Sequence, residues 1–158
     1  MSVIVITIEG KDALLIGLNQ SVHRVRNWQP IFEKIEEAAL GYFRGRFENA
    51  GPGWPPLATS TEAQKARLGF GPSRILIRSG ALYGSFVKGA TANISRIGPQ
   101  AAEFGSSIPY GVYHQEGAGV PERTIIEVTV DQEERYEEIA LNELTEAATS
   151  LGFEVKAA

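Results

Sequence analysis

The sequence contains no cysteine among its 158 residues, so disulfide frameworks, thiolate zinc sites and thiol nucleophiles are all excluded. Histidine occurs twice, as His23 and His114, far apart and outside any H-E-x-x-H pattern. Aspartate also occurs twice, as Asp12 and Asp131, each where a helix is expected to start, so an oxygen-ligand metal site would have to rest on glutamates along one helix face. The chain lacks a G-x-S-x-G elbow and a G-x-x-x-x-G-K loop. Gly69-Phe70-Gly71 and Gly117-Ala118-Gly119 lack the third glycine of a dinucleotide loop and read as turns. No apolar run approaches the roughly 20 residues that span a bilayer, and Val3–Ile8 has no basic lead-in. These absences argue against an enzyme, a resident cofactor or metal, and membrane insertion. The expectation is a soluble protein made in the cytoplasm.

What is present suits a single domain over residues 1–158, with 43% hydrophobic and 22% charged residues. The net charge of −4 is unevenly laid out. From Ile126 onward there are nine acids and two bases, a net of −7, whereas Arg44–Arg96 carries eight bases and two acids, a net of +6. Such a division bears on which surfaces attract one another or a partner, not on fold.

Val3–Ile8, rich in β-branched residues, reads as a strand, and Asp12 as the cap of a helix with an apolar stripe from Leu14 to Val25. Pro30 suits the first turn of a second helix. Its stripe is Ile31, Phe32, Ile35, Ala38, Ala39, Tyr42, Phe43 and Phe47, with Glu33, Lys34, Glu36, Glu37 and Arg44 opposite. Residues 49–74, punctuated by glycine and proline, read as a long loop interrupted by a short helical turn at Thr61–Leu68; loops of this length commonly carry function. Ser79 suits the cap of a turn through Tyr83. Strands are expected at Ser85–Gly89, Asn93–Ile97, Ala101–Gly105 and Thr124–Val130, and a short helix at Tyr110–His114 ending at Gly117. Asp131 reads as the cap of an acidic helix over residues 131–151, striped by Tyr136, Ile139, Ala140, Leu144 and Leu151, with an edge strand at Phe153–Val155. Strands and helices are partly segregated, so the expected class is α+β, a small mostly antiparallel sheet on two long amphipathic helices.

An ordered set of motifs spans Phe47–Ile125. It comprises Phe47, Gly51 and Trp54-Pro55-Pro56-Leu57; Thr61 and Lys65; Ile75-Leu76-Ile77-Arg78-Ser79-Gly80-Ala81-Leu82 with Ser85-Phe86; Ile97-Gly98; Tyr110 to Gly117 (Y-G-V-Y-H-Q-E-G); and Pro121-Glu122-Arg123. This order and spacing resemble the phage virion morphogenesis family, the tail-completion or neck proteins of Mu-like tailed phages, with Gly111 where alanine is usual after Tyr110. The resemblance implies a non-enzymatic structural protein that caps the head-proximal end of the tail as a homo-oligomeric ring, a hexamer by analogy. Tail tube or sheath proteins and head–tail connector proteins would be its partners, and DNA would pass non-specifically through the ring. Its implied location is the host cytoplasm during assembly and then the virion.

The residues named for assembly contacts are Trp54, Arg74, Arg78, Tyr110, His114, Glu116, Arg123, Glu133, Glu134 and Glu137. Trp54 could anchor in a neighbour's pocket or fold into its own core. His114 could pair with Glu116 or a neighbour's acid, or simply pack a turn. Arg123 could bridge to a carboxylate across an interface or lie on the surface. The acidic helix either receives a neighbour's 49–74 loop or faces the channel. A second reading, a small nucleic-acid-binding protein using residues 44–96, rests on arginines interleaved with Trp54, Phe70, Tyr83 and Phe86.

Overall fold

A computed structural model describes residues 27–51, 53–70 and 74–150. The expected strand at Val3–Ile8, the helix from Asp12 to Val25 with His23, Gly71 and Pro72 of the loop, and the edge strand at Phe153–Val155 lie outside the described residues. The elements in chain order are α1 (Gln29–Glu48), α2 (Thr59–Arg67), α3 (Ala81–Gly84), β1 (Asn93–Ile97), β2 (Ala102–Ser106), α4 (Gly111–Glu116) and α5 (Val130–Ser150). The fold is α+β, with helices packed on a two-stranded antiparallel sheet.

The start of α1 combines an Asn27 side chain that accepts from Gln29 N with a proline in the first turn, where a missing N–H costs nothing. Trp28 N donates to Pro99 O at 2.8 Å and so ties the helix start to the β1–β2 turn. Ile31, Phe32, Ile35, Ala39, Phe43 and Phe47 are buried as their spacing predicts, and Leu40 joins them. Phe47 sits at the centre of an aromatic group. Its ring centroid lies 5.8 Å from Trp54 at 88°, 5.8 Å from Tyr83 and 5.7 Å from Phe86, the near-perpendicular Trp54 and Tyr83 contacts being the ones favoured by ring quadrupoles. Gly51 permits this packing: it has φ +64°, and a Cβ there would fall 1.9 Å from the Trp54 ring.

The hairpin pairs Asn93 with Ser106 through Ile97 with Ala102, close to the expected strand bounds. Two other expected strands are absent. Ser85–Gly89 continues the turns that follow α3: Ser85 N bonds to Ala81 O, Phe86 N to Tyr83 O and Val87 N to Gly84 O. The reason is visible in burial: Leu82, Ser85 and Phe86 are buried together at helical spacing. Ser85 tolerates that position because its Oγ lies 2.6 Å from Leu82 O and 2.7 Å from buried Ser106 Oγ.

Thr124–Val130 is not a strand either, since no neighbouring strand among the described residues reaches it. The Gln115 side chain takes the neighbour's place. Its Oε1 accepts from Ile125 N (2.8 Å) and Ile126 N (3.0 Å), and its Nε2 donates to Ile126 O (2.7 Å). The side-chain amide thus satisfies the groups a ladder would have satisfied, and both isoleucines can be buried although they are adjacent.

Helix α4 ends at Gly117 with φ +67°, as expected. Two caps differ from expectation. Gly80, not Ser79, is the N-cap of α3, with Ser79 Oγ accepting from Ala81 N at 3.4 Å. Helix α5 starts at Val130, with Thr129 Oγ1 accepting from Gln132 N, so Asp131 sits in the first turn where its charge meets the positive end of the helix dipole.

Candidate assembly surface

The residues that the motifs share do two kinds of work, and most of it is internal. Trp54 is buried in its own core, and its indole Nε1 donates to Thr124 O at 3.1 Å. Of the two readings open for it, the structure takes the one in which it folds back. Arg123 is neither a surface arginine nor paired with a carboxylate among the described residues. It is buried; its Nε and Nη2 donate to Pro55 O (3.2 and 3.0 Å), and Nη2 also reaches Pro56 O (3.2 Å). A guanidinium suits this place because its planar fork directs several N–H donors at the two adjacent carbonyls in fixed directions. Trp54 and Arg123 therefore lock residues 54–56 against residues 123–124 from both sides.

Arg123 N donates to His114 O at 2.7 Å, which joins α4 to the same lock. The imidazole is half-buried, its Nδ1 has no partner among the described residues, and Glu116 is exposed without pairing to it. Burial first, and the charge of Arg123 second, hold the His114 pKa below its ordinary 6.5. Between that lowered value and 6.5 the unfolded chain binds a proton that the folded chain does not, so stability falls as pH drops through 6.5. His114→Gln is expected to flatten this dependence. Urea midpoints measured near pH 7.5 and about pH 5.5 should lie closer together in the variant than in the parent; equal spacing would refute the role assigned to the ring.

The basic segment is half consumed within the chain. Of its eight bases, Arg46 is buried against Glu127, Lys88 lies 2.8 Å from Glu36, Arg96 lies 2.6 Å from Glu103, and buried Lys65 donates to Arg74 O (2.6 Å) and Ile77 O (2.8 Å). Desolvation lowers the Lys65 pKa. Glu36, expected on the solvated face of α1, is 0% exposed, and Arg46 on the same helix is also buried. These placements follow from what crosses the helix: Lys88 and Glu127 bring the opposite charges.

Two groups of exposed charge hold residues named for assembly contacts. One gathers around the end of α2. Arg67, Arg74 and Arg78 are exposed, and the Arg78 guanidinium carbon sits 5.6 Å from the centroid of Phe70, a cation–π contact. The other is α5, where Glu133, Glu134 and Glu137 are exposed, while Glu143 pairs with Lys34 of α1. Tyr110 is exposed beside α4. Lys65 and Gln115 were legible as motif members, but nothing in local sequence indicates which carbonyls and amides they serve.

The fold and its contacts thus define an internally clamped α+β scaffold that leaves Arg67, Arg74 and Arg78 and the glutamates of α5 among its solvent-facing charges. The chain belongs to the phage virion morphogenesis family, whose model matches residues 11–145. The family's role is a structural one in phage virion morphogenesis. No curated protein and no solved structure matches the chain. No helix among the described residues is long and apolar enough to cross a membrane.

Proposed function

We propose that this protein completes the phage tail: it caps the head-proximal end in the manner of a tail terminator and makes the tail competent to join the DNA-filled head. The observation that carries the reading is the family match over residues 11–145. A closed ring of identical subunits, about six by analogy, needs two different surfaces per subunit that fit each other, and exposed arginines and glutamates are candidates for them. Its partners in this reading are further copies of itself, the tail tube or sheath, and the head–tail connector, with DNA passing through the ring.

The nucleic-acid reading is weaker, because four of the eight bases that would face phosphates already have partners inside the chain. Strong, salt-sensitive DNA affinity in the isolated protein would favour it.

Phage lacking the gene should accumulate filled heads and full-length tails that fail to join, with joining restored when the protein is supplied from a plasmid. Infectious particles made at the parental yield without the protein would overturn the proposal.

A further inference from the structure

Helix α4 turns an aromatic face to solvent. Tyr110, Tyr113 and Glu116 lie three positions apart and so share one side of it. Tyr110 is 43% and Tyr113 56% exposed, and neither hydroxyl has a partner among the described residues. The rest of the helix is held fast. Gly111 packs so close to Leu82 that a Cβ would fall 3.1 Å from Leu82 Cδ1, His114 O accepts from Arg123 N, and the Gln115 side chain is bonded to Ile125 and Ile126. Rings mounted on so fixed a helix can be covered by a partner with little ordering of backbone, which is what an aromatic anchor requires.

The charge around these rings is of one sign. From Ile97 to Glu122 the sequence has no lysine or arginine, and Glu116 pairs with no base among the described residues. An aromatic and acidic surface is complemented by a cation that also stacks on rings, which is arginine rather than lysine. The end of α2 carries such a group. Every described lysine is engaged within the chain: Lys34 with Glu143, Lys88 with Glu36, and Lys65 with two carbonyls. Among the exposed arginines, Arg96 and Arg135 hold Glu103 and Glu138, Arg78 lies on Phe70, and the charge of Arg74 bears on the Tyr83 hydroxyl. Arg67 has neither an acid nor a ring among the described residues, and Leu68 beside it is 49% exposed. Helix α2 is seated on the body from both sides. Leu57 packs on the core before it, and Lys65 ties it to the Arg74–Ile77 turn, whose Ile75 is buried and whose Leu76 and Ile77 pack on the core.

We propose that the last turn of α2 in one copy docks on the outer face of α4 in a second copy, with the Arg67 guanidinium on the Tyr110 and Tyr113 rings and beside Glu116, and Leu68 against the same rings. Each group is unpartnered within its own chain, and each supplies what the other lacks. The two surfaces differ and every copy carries both, so the contact is head-to-tail and repetition closes a ring or extends a filament. The covered rings supply affinity, and the Arg67–Glu116 pair selects partner and register more than it adds binding energy. This inference rests on the homo-oligomer in the reading above, but not on tail completion itself.

Three variants of the full chain test it, Tyr110→Ser/Tyr113→Ser, Arg67→Glu and Glu116→Arg, with oligomeric state read by native mass spectrometry and sedimentation. All four side chains are exposed, so thermal unfolding should show that each variant folds as the parent does. The serine pair should raise the dissociation constant about a hundredfold, and each charge reversal about tenfold. Arg67→Glu/Glu116→Arg in one chain brings opposite charges together again and should associate more tightly than either single reversal, a rescue that a purely structural defect would not allow. Parent-like oligomers in the serine pair or in both single reversals, or a double reversal no better than the singles, would overturn the docking while leaving the ring reading in place. A parent monomeric at every concentration tested would overturn both.

Discussion

Gln115→Ala is expected to lower the unfolding free energy by about 3 kcal/mol, a large share of the total for a domain of this size. The side-chain amide serves three backbone groups, the N–H groups of Ile125 and Ile126 and the carbonyl of Ile126. Both isoleucines are buried, so water cannot readily replace the lost partner, and each orphaned group costs about 1–3 kcal/mol. Partial relaxation of the 124–130 segment keeps the total below the sum of three such costs. Gln115→Glu keeps the acceptor for the two N–H groups and loses the donor to Ile126 O, so its stability should fall between parent and alanine variant. Urea unfolding with an unchanged slope measures both; an alanine variant within about 1 kcal/mol of the parent would mean that the segment finds other partners.

Arg123→Ala is expected to cost about 2–3 kcal/mol. The guanidinium makes three contacts with two carbonyls, and hydrogen bonds to charged groups are worth more than neutral ones. Two effects limit the loss. Burying a cation without a carboxylate is itself costly, as the lowering of the Arg123 pKa by burial reflects. Pro55 and Pro56 are otherwise exposed, so water can reach part of what the arginine leaves. Arg123→Lys preserves the charge but not the fork and should recover less than half of the lost stability. Full recovery by lysine would show that charge, not geometry, holds the lock.

Both effects concern residues that stand in recognisable motifs but whose tasks are set about ten to seventy positions away. Gln115 serves residues 125 and 126, and Arg123 serves residues 55 and 56. The motif order shows that these residues belong together. It does not show whether they face a neighbour or the chain's own backbone, and for Trp54 and Arg123 the answer is the backbone.

The sequence by itself determined the elements whose cause is local. The apolar stripe of α1, the β1–β2 hairpin, the Gly117 stop of α4 and the amphipathic α5 each follow from spacing or from a single conformational requirement within a few residues. The tertiary structure decided what depends on which segment arrives alongside. Thr124–Val130 has the composition of a strand but meets a side-chain amide instead of a strand edge. Ser85 to Gly89 coils because Ser106 lets a serine be buried. Glu36, Arg46 and Lys65 carry charges that patterning places in water, yet Lys88, Glu127 and a pair of carbonyls make burial affordable. A side chain's periodicity is a property of its own helix or strand, whereas the partner that satisfies a buried polar group is supplied by the rest of the fold.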